Sequence, residues 1–102
     1  MPLVTTTEFL KKAQDGHYAV GAFNVENLEM AQAVIQAATE LNAPVIIQTT
    51  SSTVKYASLS VYRAIVAALA ESAPVPVAMH LDHCSSYELC EQAAAAGYTS
   101  VM

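Results

Sequence analysis

Residues 18–29 read YAVGAFNVENLE: an apolar run, a short turn and the opening of an amphipathic helix. Tyr18–Asn24 is predicted as a first strand. From Asn27 to Asn42 the apolar residues Leu28, Ala31, Val34, Ile35, Ala38 and Leu41 recur at helical spacing, with Glu29, Gln32, Gln36 and Glu40 on the other side. The turn between these elements decides between two folds. An open dinucleotide-binding sheet would place G-x-G-x-x-G there, so that the backbone can approach a pyrophosphate. The segment AFNVENLE has none of those glycines.

The same strand–helix rhythm extends in both directions. Upstream, Thr5-x-x-Glu8 has the form of a capping box for a short helix carrying Phe9, Leu10 and Ala13, and Gly16 suits its end. Downstream, Pro44 discourages helix at the residue before it, and Val45–Thr50 (VIIQTT) follows as a second strand. Thr49–Thr53 is predicted as a hydroxyl-rich loop leading to a helix that runs from Ser58 or Ser60 to about Ser72. Val77–Asp82 (VAMHLD) makes a third strand. Ser85-x-x-Glu88 is a second capping box, opening an alanine-rich helix that ends at Gly97, and Thr99–Met102 begins a fourth strand.

Three βα units whose strands are too apolar to be half exposed predict a parallel sheet buried on both faces. With the phosphate loop missing, a TIM barrel is the better choice. A complete barrel needs eight strands and about 250 residues. The 102 residues are therefore read as one incomplete domain, the N-terminal part of a TIM (β/α)8 barrel. A sheet left at strand four would carry an open edge, an aggregation hazard, so the remainder is expected in a longer or separate chain.

Composition agrees. Apolar residues make up 54% and charged residues 13% of the chain, against roughly 45–50% and 25% in ordinary domains, which points to a surface that faces more protein. A net charge of −5 with four Lys plus Arg argues against nucleic-acid binding. No apolar run approaches the ~20 residues that span a bilayer, and the N-terminus has no basic start with an apolar run behind it. A cytoplasmic setting is the default expectation. Cys84 and Cys90 do not form a disulfide framework.

Barrel chemistry lies at the C-terminal strand ends, here Asn24, Thr49–Ser52 and Asp82–His83. In His80-Leu81-Asp82-His83, alternation puts Asp82 on the side of His80, and His83 stands at the bend where its imidazole can turn to the barrel mouth. An imidazole with a nearby carboxylate suits a zinc site. On spacing alone, hydrogen bonds that fix the loop outweigh that reading. Asn24 can orient a substrate or cap the next helix, and the hydroxyls around Thr50 can serve an oxygen-rich ligand or a solvated loop.

Taken together and in order, YAVGAFNVENLE, APVIIQTT, VPVAMHLDH and AGYTSVM resemble the class II, zinc-dependent fructose-bisphosphate aldolases and their tagatose-bisphosphate relatives, over essentially the whole chain. The resemblance implies roles. Asp82 matches the catalytic carboxylate, which exchanges a proton at the oxygen of the aldehyde-derived carbon. His83 matches the first of three histidines that hold the zinc, and Asn24 and Thr50 match substrate-side positions. The zinc would polarise the carbonyl of dihydroxyacetone phosphate as a Lewis acid. The substrate would be a phosphorylated ketose, with fructose 1,6-bisphosphate ahead of tagatose bisphosphate. A monovalent cation and a homo-oligomer, dimer or tetramer, are implied for the complete enzyme.

The sequence departs from the family in two respects. Cys84 stands where many relatives have glycine, and the remaining zinc histidines and phosphate loops belong to later strands, so this chain alone is expected to be inactive. The rival reading is a non-catalytic part-barrel that associates with other chains through its open edge.

Overall fold

Apolar side chains on alternate strand positions need a cover, and the helices of this chain supply it on one face only. A computed structural model describes residues 1–102. The elements run α1 (Thr7–Gly16), β1 (Ala22–Asn24), α2 (Leu28–Glu40), β2 (Val45–Thr50), α3 (Ser51–Ala57), α4 (Leu59–Ser72), β3 (Val77–Asp82), α5 (Tyr87–Ala96) and β4 (Ser100–Val101). The four strands are parallel and lie in sequence order, β1-β2-β3-β4. One core joins Val45, Ile47, Val77, Met79 and Leu81 of the sheet to Ile35 and Ala38 of α2, Tyr62, Val66 and Ala70 of α4 and Ala93 of α5.

This arrangement settles the choice left by the sequence. A doubly wound sheet reverses its strand order and covers both faces. Strands that advance in order, with every crossover returning on the same side, describe a sector of a barrel wall. No helix is long and apolar enough to cross a membrane.

The second and third strands occupy the predicted residues. The first is shorter than Tyr18–Asn24. Tyr18 N–H donates to Ala13 O and His17 N–H to Gln14 O, so these residues close the end of α1 before the chain reaches the sheet. Ladder bonding begins where Ile46 N–H donates to Gly21 O, at 3.0 Å. The left-handed residue at that end is His17 (φ 57°), not Gly16. Gly16 instead leaves room for the Tyr18 ring, whose Cε1 lies 2.7 Å from where a Cβ would stand.

Neither predicted capping box forms. At α1 the flanking residue is Thr6, whose φ −76° and ψ −13° are already helical; its hydroxyl makes no capping bond, because a capping side chain needs an extended backbone. At α5 the cap is Ser86, which accepts from Leu89 N–H at 3.2 Å. The expected loop at Thr49–Thr53 is largely a helix. Thr50, with extended backbone, accepts from Thr53 N–H and so starts α3 directly from the end of β2. Ser58, at φ 114°, separates α3 from α4 and caps the latter through Val61 N–H.

Two polar side chains are fully enclosed, and both are satisfied. Thr49 shares a 2.8 Å hydrogen bond with Tyr98 Oη, and Thr53 donates to Glu26 Oε1 at 3.0 Å. Burial pushes both the Tyr98 and the Tyr62 phenols above their ordinary pKa. Tyr62 donates to Glu26 O at 2.9 Å. Glu26 therefore ties the loop after β1 to α3 through its side chain and to α4 through its carbonyl.

Arg63 belongs to α4. It is half-buried, with Nε enclosed and without a hydrogen-bond partner, and its side chain lies over Gly97, the left-handed cap of α5 (φ 103°). A Cβ on Gly97 would meet Arg63 Nε at 2.6 Å. Gly97→Ala is expected to destabilise the fold by about 1–3 kcal/mol, combining left-handed strain with that clash. In chemical denaturation, part of the loss should be recovered in an Arg63→Ala background. An equal loss in both backgrounds would show that Arg63 contributes nothing to it.

Candidate active site

Parallel pairing sets side chains from different strands at one level. Asn24 pairs with Gln48, Gln48 with His80 and His80 with Ser100. These four polar residues cross the sheet as a single row on the face away from the helices. Side-chain bonds follow the row. Gln48 Nε2 donates to Asn24 Oδ1 at 2.9 Å, and His80 Nδ1 and Ser100 Oγ lie 2.7 Å apart.

One residue pair further along, Thr50 is opposite Asp82. Gln48 Nε2 also donates to Asp82 Oδ2, at 3.2 Å. The amide thus holds the carboxylate by one oxygen. Oδ1 accepts no hydrogen bond within the chain, and the residue stands at the C-terminal end of β3.

His83 follows Asp82 immediately, and in a continuing strand it would point to the opposite face. It adopts φ 48° instead. The left-handed turn breaks the alternation and returns the imidazole to the rim, with Nε2 3.9 Å from Asp82 Oδ2. The two side chains differ sharply in exposure, 80% for His83 against 15% for Asp82. The ring nitrogens of His83 make no hydrogen bond within the chain.

Asp82, His83 and Asn24 are therefore gathered at one end of the sheet, Asn24 through Gln48. Thr50 is adjacent in the ladder, but its hydroxyl is engaged locally, with Ser52 Oγ at 3.1 Å, Thr53 Oγ1 at 3.0 Å and the N–H of Thr53. Sequence reasoning missed Gln48, although it stands two residues before Thr50 on the same strand face, a lone amide in an apolar strand. It also missed Ser100, since hydroxyl residues at strand ends are too common to single out, and it grouped Ser51 with its neighbouring hydroxyls without assigning it a contact to the loop after β3.

His80 lies one step below Asp82 and is half-buried. Burial lowers its pKa from 6.5, while the Asp82 carboxylate acts in the opposite direction. Cys84 is a small, half-buried loop residue whose thiol donates to Ser86 O at 2.9 Å. Contact with Cys84 is the first cause, burial the second, that pushes the Cys90 thiol pKa up.

As a metal centre the site is a corner. A catalytic zinc takes three protein ligands and keeps one position open. Nowhere in this chain do three His, Cys, Asp or Glu side chains gather. The free imidazole of His83 fits one ligand position, and Asp82 fits a carboxylate beside it.

A family model described as fructose-bisphosphate aldolase class-II matches residues 4–102. The chain is 49% identical over 100 residues to a fructose-bisphosphate aldolase of Thermus caldophilus, covering 98% of this chain and 32% of that protein. It is 47% identical over 105 residues to a 6-phospho-5-dehydro-2-deoxy-D-gluconate aldolase of Halalkalibacterium halodurans, covering 100% and 36%. Among solved structures, the YdjI aldolase of Escherichia coli K12 superposes with a TM-score of 0.90 at 36% identity, covering 98% of this chain and 39% of that one. The chain spans about a third of the length of these curated relatives.

The lowered pKa of His80 has a signed consequence. The unfolded chain takes up the proton first, so stability is lost as pH falls from 6.5 through the folded value. His80→Gln should remove that component. Denaturation midpoints between about pH 5 and 7 are then expected to vary less steeply than in the parent. Identical slopes would show that His80 does not titrate across this window.

Proposed function

The chain belongs to the class-II fructose-bisphosphate aldolase family, and we propose that it is the N-terminal portion of a single barrel that cleaves fructose 1,6-bisphosphate reversibly, with zinc, to dihydroxyacetone phosphate and glyceraldehyde 3-phosphate. The observation that carries this reading is the juxtaposition of a tethered carboxylate and a free imidazole at the C-terminal end of β3. Both are the residue types that a Lewis-acid aldol reaction needs at that place.

In the cleavage direction the substrate hydroxyl on the aldehyde-side carbon must lose its proton as the carbon–carbon bond breaks. Asp82 is the base for that step and the acid for its reverse. Gln48 engages Oδ2 and leaves Oδ1 free of hydrogen bonds within the chain, so the proton moves through Oδ1 while the amide helps to orient the carboxylate. Asn24, whose Oδ1 is taken by Gln48, keeps its amide N–H groups for a substrate oxygen. Thr50 stands opposite Asp82 in the ladder, with its hydroxyl engaged in the α3 cap and with Ser52.

His83 would provide one ligand to the zinc, which when bound polarises the substrate carbonyl; the other ligands would lie in the portion of the relatives that this chain does not span. A part-barrel with one imidazole and one carboxylate holds too few ligands to work alone. The substrate assignment rests on the name shared by several relatives. The similarity to a 6-phospho-5-dehydro-2-deoxy-D-gluconate aldolase keeps the wider class of phosphorylated ketoses within the reading.

The test uses the full-length protein that carries this segment. Chelation should abolish aldol cleavage and zinc should restore it. His83→Ala should lose tight zinc binding together with activity. Asp82→Asn should retain zinc yet lower kcat by about 10²–10⁴-fold. Chelator-resistant cleavage trapped by borohydride would point to Schiff-base chemistry and overturn the proposal.

A further inference from the structure

The left-handed turn at His83 requires an explanation of its own. A histidine at φ 48° costs roughly 1 kcal/mol or more relative to ordinary backbone, and such a conformation persists only when neighbours hold it. Two contacts do so, from opposite sides. On the β4 side, Cys84 N–H donates to Met102 O at 2.9 Å, extending the ladder past the strand end. On the β2 side, a single hydroxyl spans the turn: Ser51 Oγ donates to His83 O at 3.3 Å and accepts from Ser85 N–H at 3.0 Å.

Ser51 is well placed for this. It is the first residue of α3, directly after Thr50, and the Thr50 cap fixes where that helix begins. Its position is therefore set by β2, which pairs along its whole length with the strand that ends in Asp82. The acceptor and donor that it joins are the backbone groups on either side of Cys84, so the bridge closes over the bend itself. Without it, His83 O and Ser85 N–H are left to water, and nothing on the β2 side opposes relaxation of the bend.

We propose that Ser51 is a positioning residue for His83: it holds the backbone turn that presents the imidazole as a metal ligand, and it touches neither metal nor substrate. The inference rests on the reading of His83 as a zinc ligand. It gives Ser51 a role that the strand-end logic does not supply, because Ser51 acts through a neighbouring loop.

The experiment measures zinc affinity of the full-length protein by competition with a chromophoric chelator, for the parent, Ser51→Ala, Ser51→Thr and His83→Ala, with thermal melting of each metal-free form. Ser51→Ala should weaken zinc binding about tenfold, the lower end of what removing a ligand's support costs. Ser51→Thr keeps the hydroxyl and should restore affinity to within about threefold of the parent. The metal-free melting temperatures of Ser51→Ala and Ser51→Thr should stay close together.

Parent-like zinc binding by Ser51→Ala, beside a crippled His83→Ala, would overturn the role of Ser51 and leave the ligand assignment standing. Equal weakening by Ser51→Ala and Ser51→Thr would overturn it too, since the hydroxyl would then not be the operative group. Parent-like binding by His83→Ala would overturn the reading on which the proposal rests.

Discussion

The side-chain amide of Gln48 donates to two acceptors at once, Asn24 Oδ1 on β1 and Asp82 Oδ2 on β3. That bond pattern is possible only because three parallel strands run without a shift in register, so that Asn24, Gln48 and His80 stand at one level and Asp82 two residues beyond on the same face. A slip of one residue would turn Gln48 into the helix-facing core, where an unsatisfied amide is costly. It would send Ile47 to the rim. The buried alternation Val45–Ile47–Thr49, packed against the helices with the Thr49 hydroxyl on Tyr98, therefore fixes the polar row on the other face. Packing on one side of the sheet positions chemistry on the other.

Beyond the strand end the ladder no longer dictates direction, and the control passes to single contacts. His83 reaches the rim through one left-handed residue, held by Ser51 on one side and by Met102 O on the other. The division of labour has a physical logic. Asp82, the proposed proton carrier, lies within the sheet, partly enclosed and tethered. His83, the proposed metal ligand, is exposed, and its imidazole is free of hydrogen bonds. The left-handed cap of α5 at Gly97 works at the opposite end of the same unit, turning the chain back into β4, which supplies Ser100 to His80.

Much of this was legible in the residues. Strands two and three are apolar runs bounded by Pro44 and by the polar residues at their ends, and periodicity placed them to the residue. The strand-three pair Asp82–His83 was singled out because barrel chemistry concentrates at such ends, and the segment-long resemblance then implied roles for it. The failures share a cause. Capping depends on the backbone angles of one residue: Thr6 is already helical and cannot cap, whereas Thr50 is extended and starts a helix inside what reads as a loop. Those angles come from tertiary contacts, here the end of β2 against Asp82. Tyr18 reads as strand by composition, yet its N–H is committed to Ala13. Gln48 and Ser51 act across strands, and a linear pattern does not show which residues will be neighbours.

The proposed function rests on one arrangement, a tethered aspartate and a free imidazole adjacent in sequence at the end of β3. The most direct test is a crystal structure of the full-length, zinc-loaded protein with the metal located by anomalous scattering. The account predicts a zinc peak about 2.0–2.1 Å from a ring nitrogen of His83, with Asp82 unligated and its Oδ2 still on Gln48. A zinc held elsewhere with His83 turned to solvent, or one ligated by Asp82 in place of His83, would contradict it.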